Sequence, residues 1–292
     1  MEPALSAAAP PPPALAAELR ARGLLGDGDR FEALFGGRTN RVWKLLGSDS
    51  DQVLKLYCTG FRNPLFRNDA ELEAACLRTF EGEGFAPRLR ASGRFGDESW
   101  VLYDHAPGEP WRENPEPVAR ILRKVHTHPA RIQAPKGCNG SADLAAHGDR
   151  ILAQCSSREQ ATLEQLRPAA EIAPLSEHRL IHGDPVAGNI LISRDRTTLI
   201  DWQCPALGDP SEDLALFLSP AMQRLYRGNP LSAEERERFL SAYDDSAIVA
   251  RYRALRPWYA WRMAAYCLWR SENGAADYSA GYALELGTLR PR

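Results

Sequence analysis

The stretch 180–203 constrains this chain more than any other: it reads LIHGDPVAGNILI, then SRDRTT, then LIDWQ. Asp184 follows His182 and Gly183, Asn189 comes after a four-residue spacer, and Asp201 closes an apolar run about a dozen residues further on. Two carboxylates and a carboxamide at this spacing suit chemistry on Mg²⁺ and phosphate. Asp184 is placed to accept a proton from an attacking hydroxyl, while Asn189 and Asp201 offer hard oxygens to a cation. Reading Asp184 and Asp201 as ordinary turn and strand-end carboxylates leaves unexplained why three metal-suited groups fall at this one spacing.

Composition narrows the setting of that stretch. The 292 residues are enough for one large domain or two lobes around a cleft. A formal net charge of -2 gives no reason to expect a nucleic-acid partner. The cysteines at 58, 76, 138, 155, 204 and 267 form no C-x-x-C pair, which suits reduced thiols in a cytoplasmic protein better than a disulfide framework or a zinc site. No apolar run reaches bilayer length, so no membrane span is expected, and Glu2 in place of a basic region does not suit a secretory signal. The lysines are Lys44, Lys55, Lys124 and Lys136, so few are available for any role that needs one.

The Ala/Pro-rich residues 1–15 read as a disordered lead-in, with a short helix near 16–24 after it. FEALF, RVWKLL and QVLKLY then read as three strands joined by GGRTN and GSDSD. In GGRTN, Gly36 and Gly37 would let backbone N–H groups approach a phosphate, and Thr39 and Asn40 could add side-chain contacts. The same loop also reads as a plain hairpin turn. Lys55 lies between Val53, Leu54 and Leu56, where an ammonium needs an anionic partner or an exposed face. The helix expected over 69–81 offers two partners. Leu72, Cys76, Leu77 and Phe80 define its apolar face; Glu73 lies in that face and Glu71 opposite, so the ion pair is assigned to Glu73. Asn68 and Glu71 read as a capping box.

After two more strands, Gly108 and the segment EPWRENPEP mark a boundary, and the pattern becomes helical. His126 and His128 are two residues apart, hence on different helix faces and not a metal pair. One long helix is expected over 144–166. In GDPSEDLALF, Asp209 reads as an N-cap with Pro210 at the first helical position, and Asp213 as a brace for the 182–189 loop. Ser232 and Glu235 form a second capping box. In ALRPWYAWRMAAYCLWR, Trp258, Tyr259, Tyr266 and Trp269 share one arc of the helix, either as core or as the wall of a pocket for a cationic or apolar alcohol. Arg262 in the same arc argues against a pure cage for an organic cation.

The spacing H-x-D-x-x-x-x-N followed by a strand-end Asp is the catalytic-loop pattern of kinases. HGDPVAGNILI…LIDWQCPALGDPSEDLALF resembles the aminoglycoside phosphotransferase and choline kinase group, small-molecule kinases with a protein-kinase-like fold, over nearly the whole chain from Phe31. The resemblance implies an α+β, two-lobed fold: a small antiparallel-sheet lobe over 16–106 and a mostly helical lobe over 107–292. It implies ATP and Mg²⁺ as cofactors. Lys55, paired with Glu73, would hold the α/β-phosphates. The glycine-rich loop would cover the phosphates, and the adenine would be read by the Asp104 carbonyl and the Ala106 amide. His182 would be scaffold, and Trp202 would stand where the Asp-Phe-Gly triplet has Phe. The expected reaction moves the γ-phosphoryl group to a hydroxyl of a small metabolite, first of all a choline- or ethanolamine-like amino alcohol. Kinases for thiamine or an aminoglycoside are the nearer alternatives, a non-catalytic nucleotide-binding module the further one. A protein kinase is disfavoured, since no Ala-Pro-Glu segment follows Asp201.

Overall fold

The structure, a computed structural model, describes residues 9–26, 28–34, 39–47, 50–60, 62–129 and 132–290. Helix α1 (Pro13–Ala21) precedes strands β1 (Arg30–Ala33), β2 (Arg41–Leu46) and β3 (Gln52–Tyr57). Helix α2 (Ala70–Thr79) follows, then β4 (Leu89–Phe95) and β5 (Glu98–Asp104). These strands form one antiparallel sheet in the order β1-β2-β3-β5-β4.

The period-two alternation of strands divides that sheet's two faces. Trp43 and Leu45 of β2, Leu54 and Leu56 of β3, and Trp100 and Leu102 of β5 face α1, whose Leu15 and Leu19 are fully buried against them. Val53, Tyr57, Val101 and Tyr103 face the other way and join the core that runs on into the helical half. Lys55 falls in register with Val53 and Tyr57, so the pleat alone aims its ammonium away from α1. Lys44 pairs with Asp51 at 2.7 Å and takes no part in the site.

The second lobe begins with β6 (Glu109–Pro110), α3 (Glu116–His126), α4 (Ser141–Leu152) and α5 (Glu159–Gln165). Strand β7 (Arg179–Ile181) leads into a loop with a 3₁₀ turn at Ala187–Asn189, then β8 (Ile190–Ile192), β9 (Thr197–Leu199) and β10 (Ala206–Gly208). Helices α6 (Ser211–Leu218), α7 (Pro220–Tyr226), α8 (Ala233–Tyr243), α9 (Ser246–Glu272) and α10 (Tyr278–Leu289) complete it. β7 pairs with β10, and β8 pairs with both β6 and β9, so two small sheets flank the loop carrying Asp184. Among the described residues, no helix is long and apolar enough to cross a membrane.

Several elements differ from the sequence reading. The lead-in expected over 1–15 overlaps α1, which already starts at Pro13; residues 1–8 lie outside the described residues. Asn68 does not cap α2. Asp69 does, accepting from the Glu71 and Leu72 amides, because the Asn68 carboxamide is engaged with Asn40. The long helix expected over 144–166 is two helices. Glu272, at the end of α9, accepts the amides of Ser156 and Ser157 at 2.8 and 3.0 Å and so stabilises the break. Helix α6 starts at Ser211 rather than Pro210, with Asp209 accepting the Ser211 amide at 3.0 Å.

Candidate active site

Lys55 and Glu73 are 3% and 1% exposed, and Lys55 Nζ donates to Glu73 Oε2 at 2.8 Å. Tyr57, two residues along the same strand face, donates its hydroxyl to that carboxylate as well. Lys55 Nζ also donates to Asp201 Oδ1. Burial alone would favour the neutral amine. The Asp201 and Glu73 carboxylates outweigh it, and the ammonium is held well above its ordinary pKa. One cation from the sheet thus meets carboxylates from α2 and from the second lobe.

Asp201 lies two residues beyond β9 with φ 65°, a left-handed backbone that costs a non-glycine residue about 1–2 kcal/mol. Its neighbour Trp202 anchors that turn. The indole is fully buried against Phe80, Phe85 and His182, and its Nε1–H donates to the Leu199 carbonyl at 3.0 Å.

The loop that carries Asp184 is fixed from beneath. Asp213 on α6 accepts the backbone amides of His182 and Gly183 at 2.7 and 2.9 Å, and the Nε2–H of His126 at 2.9 Å. Burial would raise the Asp213 pKa, but the bonds from His126 and the Gly183 amide win and hold it below its ordinary value. The fully buried His182 accepts the Asp184 amide at Nδ1 (3.2 Å) and donates from Nε2 to the Ile200 carbonyl (3.1 Å). Both bonds together require the neutral imidazole with its proton on Nε2, and burial depresses its pKa accordingly. His182 therefore ties the Asp184 loop to the Asp201 turn.

Asn189 Nδ2 donates to the Asp184 backbone carbonyl at 2.9 Å and to Asp184 Oδ2 at 3.1 Å. That orientation leaves Asn189 Oδ1 as the oxygen for a cation. Burial pushes the Asp184 carboxyl well above its ordinary pKa, and the nearby Asp201 carboxylate adds to the shift. Among the described residues, no group of three or more His, Cys, Asp and Glu side chains is arranged to hold a metal. The donor set nevertheless suits Mg²⁺. Asn189 Oδ1 and the Asp201 carboxylate are hard oxygens, and Mg²⁺ at phosphate sites takes one or two protein carboxylates with phosphate and water completing its shell.

Other sequence-expected positions come out differently. Gly36 and Gly37 lie outside the described residues, and Thr39 is half-buried. Asn40 is not open to a phosphate. Its Nδ2 donates to Asn68 and Gln203 at 2.7 and 2.8 Å, and its Oδ1 accepts the Cys58 amide at 3.2 Å. It is instead a seam between the sheet and the segment after Asp201, a role that no local pattern announces. Asp104 closes β5 with its carboxylate held by Arg90, and the buried Ala106 follows. Trp258, Tyr266 and Trp269 are core rather than the wall of an open pocket. Trp258 Nε1–H donates to the Ala170 carbonyl, Asn63 donates to the Tyr266 hydroxyl, and the Tyr266 and Trp269 rings stack on one another.

Residues 30–258 match the phosphotransferase enzyme family. The fold is also that of solved kinases. The choline kinase LicA from Streptococcus pneumoniae is 15% identical with a TM-score of 0.65, covering 94% of this chain and 98% of that one. A choline/ethanolamine kinase family protein from Mesorhizobium loti is 16% identical with a TM-score of 0.64, covering 94% and 93%. A thermostable mutant of the aminoglycoside phosphotransferase APH(4)-Ia, solved with AMP-PNP and hygromycin B, is 15% identical with a TM-score of 0.65, covering 94% and 96%. At these identities the likeness establishes the two-lobed, protein-kinase-like fold. No curated protein matches the chain.

Proposed function

Because this chain belongs to the phosphotransferase enzyme family, we propose that it moves the γ-phosphoryl group of ATP to a hydroxyl of a small metabolite. The observation that carries this reading is the double engagement of Lys55 Nζ by Glu73 and Asp201, with Asp184 and Asn189 joined beside it. Phosphoryl transfer asks a protein mainly for positioning and charge stabilisation, and five polar side chains, from β3, α2 and the 184–201 stretch, can supply both.

In this reading Asp184 orients the acceptor hydroxyl and takes its proton. Lys55, fixed by Glu73, meets phosphate oxygens. Asn189 and Asp201 hold Mg²⁺, which when bound would neutralise charge on the phosphates. Thr39 would lie near the phosphates, and the backbone of Asp104 and Ala106 would meet the adenine. The lobes meet at residues 106–107.

For the acceptor we propose an amino alcohol of the choline or ethanolamine kind, supported by the likeness to the choline kinase and the choline/ethanolamine kinase family protein. An aminoglycoside is the second reading, supported by the APH(4)-Ia likeness. A coupled ADP-release assay over choline, ethanolamine, thiamine and hygromycin B tests both. Turnover on choline or ethanolamine at least tenfold above the other two is expected. Turnover confined to thiamine or the aminoglycoside removes the amino-alcohol assignment, and absence of turnover on any alcohol removes the kinase reading.

A further inference from the structure

A cavity of about 810 Å³ opens between α6, α9 and α10, and its lining includes none of Lys55, Glu73, Asp184, Asn189 and Asp201. Helix α6 separates it from the cleft. Asp213 turns to the catalytic loop, while Ala215, Leu218 and Ser219, on the opposite side of that helix, face the cavity. Its volume is that of an ordinary small-molecule site.

The polar groups around the cavity are not balanced. Arg236, Arg256, Arg262 and Arg290 line it, against one lining carboxylate, Glu285; Arg262 is already paired with Glu212 at 2.7 Å. Glu285 is already engaged, accepting from the Ser219 hydroxyl and from the Ala221 amide at 3.2 Å. Arg236 donates to the Leu231 carbonyl at 3.2 Å. The exposed Arg256 and Arg290 make no ion pair among the described residues, although this chain pairs many of its other arginines. Tyr252 lines the same cavity and is 6% exposed. A phenol hydroxyl at the wall of a cavity is a ready donor for a ligand acceptor atom. Between these groups the wall is apolar, through Leu216, Leu218, Met263 and Leu284.

We propose that this cavity is a second ligand site, for an amphipathic organic anion. Its carboxylate or phosphate is held by Arg256, Arg290 and the Tyr252 hydroxyl, and its apolar part lies along Leu216, Leu218, Met263 and Leu284. Guanidinium groups suit both anionic heads, since each presents paired oxygens to the planar fork. None of the five site residues lines the cavity, so it can be filled while nucleotide is bound.

Isothermal titration of the full chain with decanoate, decyl phosphate, decanol and decyltrimethylammonium tests this. One or both anions are expected to bind at least tenfold more tightly than decanol or the cation, and the ratio between the two anions tells carboxylate from phosphate preference. The double variant Arg256→Ala/Arg290→Ala, at exposed positions, is expected to weaken anion binding at least tenfold with an unchanged unfolding midpoint. Tyr252→Phe is expected to weaken it severalfold, and saturating Mg-ATP to leave it in place. Absence of anion binding, equal binding of decanol, indifference to the arginine changes, or displacement by Mg-ATP would each overturn the proposal.

Discussion

Gly183 shows how much one position in the catalytic loop is asked to do. Its φ is 80°, and a Cβ there would overlap the Cys204 carbonyl. Related loops in protein kinases carry arginine at this place; here the Cys204 backbone occupies the space an arginine would need. Gly183→Ala must therefore adopt a left-handed backbone and push the Cys204 segment away, at a combined cost of roughly 2–4 kcal/mol. Urea unfolding should show that loss, together with reduced turnover, because the displaced segment follows directly on Asp201. Unchanged stability would mean that the loop has room this structure does not show.

At the scale of elements, α10 contributes a pH-dependent term. Glu285 is buried, and burial lifts its pKa from 4.5 to about 7 despite the bonds from Ser219 and Ala221. A raised folded-state pKa favours the protonated carboxyl in the folded protein. Its contribution is thus complete below the unfolded value and is lost as pH rises through about 7. At ~1.4 kcal/mol per pKa unit the loss is roughly 3 kcal/mol. Glu285→Gln keeps the shape and removes the titration. Between pH 5 and pH 8 the wild-type chain should lose about that much unfolding free energy relative to the variant; a constant difference would contradict this account. Element-level features also show where sequence reading stops. Lys55 was legible because an ammonium between Val53, Leu54 and Leu56 needs an anionic partner or an exposed face, and Glu73 because the apolar face of α2 contains it. The arc argument applied to Trp258, Tyr266 and Trp269 fails for a physical reason. Every residue of α9 from Trp258 to Arg270 is buried, so periodicity there cannot tell a pocket wall from core. The break between α4 and α5 was invisible because its cause, Glu272, lies 116 residues from Ser156.

For the molecule as a whole, the site is a convergence of segments. Asp184, Asn189 and Asp201 sit in one stretch and could be read from their spacing. The contacts that join this stretch to the sheet could not, because they are pairings at long range. Lys55 and Asp201 are 146 residues apart, and Asn40 and Gln203 are 163 apart. Nothing local in either segment encodes its partner. The proposed function divides labour: Lys55 and Glu73 would belong with the nucleotide, and Asp184 with the acceptor. The most direct test compares Mg-ATP binding and turnover in wild type and Asp184→Ala, on whichever acceptor the substrate panel identifies. The account predicts that turnover falls at least about a hundredfold while the Kd for Mg-ATP stays within about threefold, well under 1 kcal/mol. Turnover that survives the change, or nucleotide binding lost along with it, would contradict the assignment of Asp184 to the acceptor.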